Sequence, residues 1–219
     1  MTFSILALDK KTGMLGCAAA TGNLAVGSWV LRATPTGGAV ATQGMSVSSL
    51  WGDEALRLLS DGETIETIIC KLTEPDTGRD YRQLAVLDKK GNGAVWTGDK
   101  NTDEKGHIIK DGVVISGNWL SSQKVLAAME KAYFDLLDTD FGNRLLGVLE
   151  AAMEAGSDSR GTYSAAIRIV GMGQAPLDLR VDYDEAPLER LRKLYDMVTS
   201  KPYSDWVLNV PTVAEPFKC

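Results

Sequence analysis

The sequence predicts an α+β fold in which antiparallel sheets carry helices on their outer faces. Three observations lead there. Strand-like segments come as neighbours joined by glycine-bearing turns, helical segments arrive in pairs between those blocks, and several strands are apolar along their whole length. A doubly wound parallel sheet would instead alternate strand and helix one by one. Strands without a polar face belong to sheets covered on both sides.

Phe3 to Leu8 reads as the first strand, Asp9-Lys10-Lys11-Thr12-Gly13 as a polar turn, and Leu15 to Thr21 as its small, apolar partner. Val26–Ala33 and Ala39–Gln43 read as a second pair around Pro35-Thr36-Gly37-Gly38. The period then becomes helical. Ala55, Leu56, Leu58 and Leu59 fall on one face of a helix ended by Gly62, and Ile65, Ile68, Ile69 and Leu72 on that of a second, closed by Pro75. Gln83–Leu87 and Ala94–Thr97 form a hairpin about Asp88–Gly93, and Val113–Ser116 is a further short strand. Helices follow at Ser121–Leu137 and Asn143–Ala155, strands at Tyr163–Val170 and Leu177–Tyr183, and a last helix at Leu188–Val198 behind Pro187. Residues 1–200 are expected to form one domain, and 201–219 a proline- and aromatic-rich tail.

Composition narrows the function classes. A 219-residue chain with a net charge of −6 lacks the basic surface that phosphate backbones or anionic membranes require. No apolar run approaches the ~20 residues of a membrane span, and no signal-peptide pattern opens the chain. Cys17, Cys70 and Cys219 are widely spaced and odd in number. They read as two buried thiols and a loose terminal one, in a reducing, cytoplasmic setting. The apolar tail residues Tyr203, Trp206, Val207, Leu208 and Phe217 call for cover, either from a homodimer partner or by folding back on their own domain.

A series of short blocks carries a family resemblance. Thr2-Phe3-Ser4-Ile5 is followed by Asp9, Thr12-Gly13 and Gly16, then by Val26-Gly27 and Gly38-Ala39-Val40-Ala41-Thr42-Gln43. Arg82-Gln83, Thr97-Gly98 and Gly117-Asn118 come next, and Arg160-Gly161, Ser164-Ala165-Ala166 and Asp178-Leu179-Arg180-Val181-Asp182 complete the set. In order and spacing these resemble a bacterial family of uncharacterised domains with the N-terminal-nucleophile (Ntn) hydrolase fold, from Thr2 to about Leu194. The resemblance implies a four-layer αββα sandwich of two antiparallel sheets between helix layers. It implies a hydrolase scaffold and no particular reaction.

Thr2 is the sharpest candidate for chemistry. Were Met1 removed, the α-amine of Thr2, with an ordinary pKa of about 8, could take the proton from the residue's own hydroxyl. With Met1 attached that nitrogen is an amide and no base. A β-branched residue opening a strand would look the same. Gly22-Asn23 and Gly44-Met45-Ser46 are turns whose backbone amides could face an oxyanion. Arg82, Gln83 and Asn118 stand at strand ends, where pocket residues collect. Asp178, Arg180, Asp182 and Asp184 alternate with Leu179, Val181 and Tyr183, which puts four charges on one strand face. That is a solvated face, a charged pocket floor or an oxygen-ligand ion site, and Asp158-Ser159-Arg160 could join it. His107 lies in a charged, loop-like stretch, and no GxSxG elbow, Walker loop or His/Cys metal spacing is present.

The sequence thus supports an amidohydrolase acting on a small amide or peptide-like substrate through Thr2, with Arg82, Gln83, Asn118, Arg160 and Asp182 as substrate contacts and no cofactor or metal implied. A binding or accessory protein on the same scaffold is the alternative. A third reading places an enzyme site on the acidic strand with Arg160.

Overall fold

Along the first strand Phe3, Ile5 and Ala7 alternate with Ser4, Leu6 and Leu8, and the two sets enter different cores. That alternation organises the molecule. The computed structural model of the chain describes residues 2–102, 104–157 and 161–218. The first half of the chain runs β1 (Thr2–Asp9), β2 (Met14–Thr21), α1 (Val26–Trp29), β3 (Leu31–Thr34), β4 (Gly38–Gly44), α2 (Ser49–Ser60), α3 (Ile65–Thr73), β5 (Arg82–Asp88) and β6 (Gly93–Thr97). The second half runs β7 (Gly106–Lys110), β8 (Val113–Asn118), α4 (Lys124–Asp135), α5 (Phe141–Glu154), β9 (Ser164–Gly171), β10 (Gln174–Val181), α6 (Pro187–Thr199) and α7 (Tyr203–Val207).

The fold is α+β, with two antiparallel sheets and seven helices among the described residues. One sheet has six strands in the order β10-β9-β2-β1-β8-β7, the other four in the order β3-β4-β5-β6. Every strand pairing is antiparallel. Phe3, Ile5, Val113, Ile115 and Ile167 on one face of the larger sheet pack with Met129, Leu145, Leu149 and Leu191 of α4, α5 and α6. Leu6, Leu15, Cys17 and Val114 on its other face meet Ala39, Ala41, Ala85 and Leu87 of the smaller sheet. Val40, Leu84 and Val86 on the far face of that sheet pack with Trp51, Leu58 and Ile68 of α2 and α3.

The small residues of β2 are a steric requirement. A Cβ at Gly16 would come within 2.6 Å of Leu145 and 2.8 Å of Phe141, because α5 lies directly across the strand. Helix starts follow capping chemistry: the side chains of Ser48, Thr64 and Asp140 accept backbone N–H groups of α2, α3 and α5.

The structure departs from the sequence expectations at several places. The segment 26–33 is not one strand. Val26–Trp29 forms the one-turn α1, and the strand begins at Leu31. Tertiary contacts override the apolar pattern here. Ala25 takes a left-handed backbone (φ 54°) and donates to the Asp182 carbonyl at 2.9 Å, while a Cβ on Gly27 would meet Ala166 and Arg180 at 2.8 Å.

Residues 106–110, read as loop, form the edge strand β7, so His107 pairs across from Ser116. Its short, half-exposed pattern hid it. Strand β10 ends at Val181, so Asp182 and Asp184 lie beyond it. Cys17 is buried, which pushes its thiol up to about 12, but Cys70 is exposed on α3, and Cys219 lies outside the described residues. The tail carries α7 and turns back on the domain, with Ala214 N donating to Met172 O at 2.8 Å, yet Trp206, Leu208 and Phe217 stay exposed. No helix among the described residues is long and apolar enough to cross a membrane.

One ion pair ties the first hairpin to the helices. Arg144, 3% exposed, donates to Asp9 Oδ1 at 3.3 Å and to the carbonyls of Leu136, Leu137 and Thr139 at 3.1–3.3 Å, with its guanidinium over Tyr133 and Phe141. Removing one partner strands the other in the interior. Arg144→Ala is expected to lower unfolding free energy by about 3–5 kcal/mol in urea titrations. A loss below about 1 kcal/mol would show the pair to be dispensable.

Candidate functional site

The layer between the two sheets changes character from one end to the other. At one end it is Leu6, Leu15, Cys17, Leu87 and Val114. At the other, the same strands place Ser4, Thr21, Gln43, Gln83, Ser116 and Asn118, none more than 3% exposed. Period-2 alternation puts each of these in register with the apolar inward residues, so the polar end is built into the strand sequences. Polar groups buried this deeply cost free energy unless they bond to one another.

They do bond. Ser4 Oγ and Ser116 Oγ are 2.9 Å apart. Gln83 is the node: its Nε2 lies 2.9 Å from Thr97 Oγ1 and 3.1 Å from the carbonyls of both Gly106 and Gly117. Three acceptors around that nitrogen fix the amide orientation. Gln83 Oε1 therefore accepts, from Gln43 Nε2 at 2.6 Å and from Asn118 Nδ2 at 3.4 Å. Gln43 Oε1 is buried with no hydrogen-bond partner.

This polar end opens into a cavity of about 450 Å³, within the range usual for small-molecule sites. Thr2, Thr21, Asn23, Gln43 and Asn118 contribute its polar wall, and Leu24, Val26, Trp29, Met45 and Trp119 its apolar wall. Leu24, Trp29 and Met45 are each more than half exposed, which makes an apolar rim. Two of the three non-glycine residues with left-handed backbones among the described residues border it, Trp119 (φ 57°) in the wall and Ala25 beside it. Such strain concentrates at functional sites. A second cavity, about 530 Å³, lies between Pro35, Val170 and the tail residues Pro211, Val213 and Pro216. Its one charged wall residue, Arg168, is occupied by Asp178.

Thr2 opens β1, half-buried, directly between Thr21 of β2 and Asn118 of β8 in register. Its hydroxyl is 3.1 Å from Thr21 Oγ1. Of the residues nominated as nucleophile or substrate contacts, the fold brings Thr2 and Asn118 together in the cavity wall, which Asn23, Gly44 and Met45 of the nominated turns also line. Gln83 stands behind them as a buried support. Arg82, its neighbour, points to the other side of the strand, bonded to Asp76 at 2.8 Å, bonded to the Ser46 carbonyl and stacked on Trp51. Asp182 lies apart from the cavity wall and pairs with Arg180 at 2.9 Å. Asp184 bonds the Ala186 amide at 2.8 Å and Arg190 at 3.0 Å, so the acidic segment is divided among separate arginines. No cluster of three metal-ligating side chains is found among the described residues. Arg160 lies outside them.

The nominated turn amides are in use. Asn23 N donates to Thr21 Oγ1 at 3.3 Å, Met45 N to Asn101 Oδ1 at 2.9 Å and Ser46 N to the Tyr81 carbonyl at 3.1 Å. The sequence reading did not single out Gln43 as a site residue. Its signal was present as a lone polar residue at the inward position after Ala39 and Ala41.

These features define an α+β protein with a ligand-sized cavity where two stacked antiparallel sheets turn polar. The chain belongs to a family of unknown function, DUF1028, whose match spans residues 2–191. It is similar to the crystal structure of protein SPO2555 from Silicibacter pomeroyi, assigned to the same family. The two share 42% sequence identity with a TM-score of 0.94, over 99% of this chain and 98% of that one. Comparison with curated proteins finds no match.

The network makes Gln83 the residue on which this end of the layer rests. Gln83→Leu keeps the volume but strands Gln43 Nε2 and two backbone carbonyls. The expected loss is about 3 kcal/mol in urea denaturation, since each buried unsatisfied group costs roughly 1–3 kcal/mol. A Gln83→Leu protein as stable as the parent would contradict this.

Proposed function

We propose that the protein is an Ntn-type amidohydrolase acting on a small amide or peptide-like substrate, with Thr2 as nucleophile. The observation that carries the reading is the position of Thr2, at the head of a central strand and in the wall of the cavity, between Thr21 and Asn118. The two face-to-face sheets with helices outside fit the αββα sandwich on which that chemistry is built.

The mechanism requires the peptide bond before Thr2 to be cut, leaving a free α-amine. That amine accepts the hydroxyl proton as Oγ1 attacks the substrate carbonyl carbon. Asn118 Nδ2, which makes a single long bond to Gln83, is the side-chain donor for the oxyanion. The intermediate collapses as the C–N bond breaks, and the α-ammonium returns the proton to the departing amine. Water, activated by the same α-amine, then hydrolyses the Thr2 ester and restores the hydroxyl. Thr21 Oγ1 holds the nucleophile's rotamer through the 3.1 Å contact.

A non-catalytic binding protein is the second reading. It is favoured by the turn amides of Asn23, Met45 and Ser46, which are already bonded rather than free for an oxyanion.

Release of p-nitroaniline from anilides of neutral, apolar acyl groups separates the two. Thr2→Ala should reduce turnover about a thousandfold or more, and Thr2→Ser should retain part of it. Because the base must be unprotonated, kcat/KM should fall as pH drops through about 8. Full activity in Thr2→Ala would remove Thr2 from the mechanism. Binding of an anilide without turnover in the protein bearing a free Thr2 amine would favour the second reading.

A further inference from the structure

Around the cavity mouth the protein presents an apolar surface that a ligand does not explain. Leu24 and Trp29 come from the stretch between β2 and β3, Met45 and Val47 from that between β4 and α2, and all four line the cavity. Leu50, on the first turn of α2, is 77% exposed and lies outside the cavity wall. Arg32 ties the two stretches together, with Nη1 donating to the Ser28 carbonyl at 3.0 Å and Nε to Asp53 Oδ1 at 2.6 Å. Helix α1 and the start of α2 therefore share one side of the molecule. A small molecule in the cavity accounts for the wall residues and leaves Leu50 wet. Large apolar side chains gathered on one face mark an interface with a macromolecule.

Charge says which macromolecule. Residues 13–52 hold a single charged side chain, Arg32, in a chain that is 24% charged. That guanidinium is spent on Asp53 and on the carbonyls of Ser28 and Leu31. A partner of different sequence can match a charged patch with opposite charges of its own. A second copy paired about a two-fold axis cannot, because a charge near the axis meets its own like. In a protein with a net charge of −6, a surface for self-association is one emptied of charge. It is also one rich in Trp and Met, as the centres of interfaces are. Segments 22–29 and 44–50 have that composition. The other exposed apolar group, in the tail, does not. There Tyr203 and Trp206 cover each other in part, with ring centroids 5.3 Å apart, and the ion pair of Lys201 and Asp205 stands among them.

We infer that two copies of this chain pair through the face built from segments 22–29 and 44–50, which brings the mouths of their two cavities together. Trp29 and Leu50 are the anchors, and the tail takes no part. The inference goes beyond the proposed reaction and stands whether or not Thr2 reacts.

The test is sedimentation equilibrium of the full chain at micromolar concentration. The parent should be a dimer. Leu50→Glu and Trp29→Glu should each raise the dimer Kd about a hundredfold or more, since each sets two like charges in an apolar contact. Trp206→Glu, in the tail, should leave the Kd within about twofold of the parent, as a residue outside an interface does. Leu50 is exposed, so its variant should keep the parent's Tm and decides the matter should Trp29→Glu fail to fold. A parent still monomeric at high micromolar concentration would overturn the inference and leave the face to a different protein. A dimer that keeps its Kd in Leu50→Glu would overturn it too, as would one abolished by Trp206→Glu. None of these results bears on the catalytic reading, which the Thr2 variants decide.

Discussion

The molecule depends on one constraint: polar groups buried between two sheets must bond to one another. Gln83 meets it. Its amide reaches two strands of the larger sheet through Gly106 and Gly117, two strands of its own sheet through Gln43 and Thr97, and the Asn118 side chain. Without such a node the inward positions of Ser4, Gln43, Ser116 and Asn118 would have to be apolar, as they are a few residues further along. The cavity opens at this polar end, where Thr2 stands.

The same node links structure to chemistry. Asn118 and Gln43 both bond Gln83 Oε1, so these two residues of the cavity wall are positioned by a support outside that wall. Preorganisation of this kind lets donors face a reacting group without reorganising. The strained backbones at Ala25 and Trp119 fit the picture, because a left-handed residue persists only where its surroundings fix it. Ala25 is held by the Asp182 carbonyl, and Trp119 N by Thr102 Oγ1 at 2.9 Å. Asp182 thus contributes through its backbone, away from the polar wall.

Much of the fold was legible in the sequence because hairpin turns and helical periods are local signals. The β1–β2 hairpin, the paired helices and the final helix all stand where periodicity placed them. Segment 26–33 misled because its apolar pattern says nothing of Gly27 packing against Ala166 and Arg180. At the site, Thr2 and Asn118 could be read as strand ends, and the register between them needed the sheet. Arg82 was nominated beside Gln83, but adjacent residues on a strand point to opposite faces, so only Gln83 enters the inter-sheet layer. Gln43 showed in the sequence only as a lone polar residue at an inward strand position, because its role comes from a partner 40 positions away.

Thr2, with a free α-amine, is the proposed reacting group of this cavity. The most direct measurement is peptide mapping by mass spectrometry after the cell-purified protein has reacted with an acylating β-lactone. One acyl group is expected, carried on a peptide whose first residue is Thr2 and absent from the Thr2→Ala protein. A peptide that still holds Met1 ahead of Thr2, with the acyl group elsewhere or missing, would contradict it.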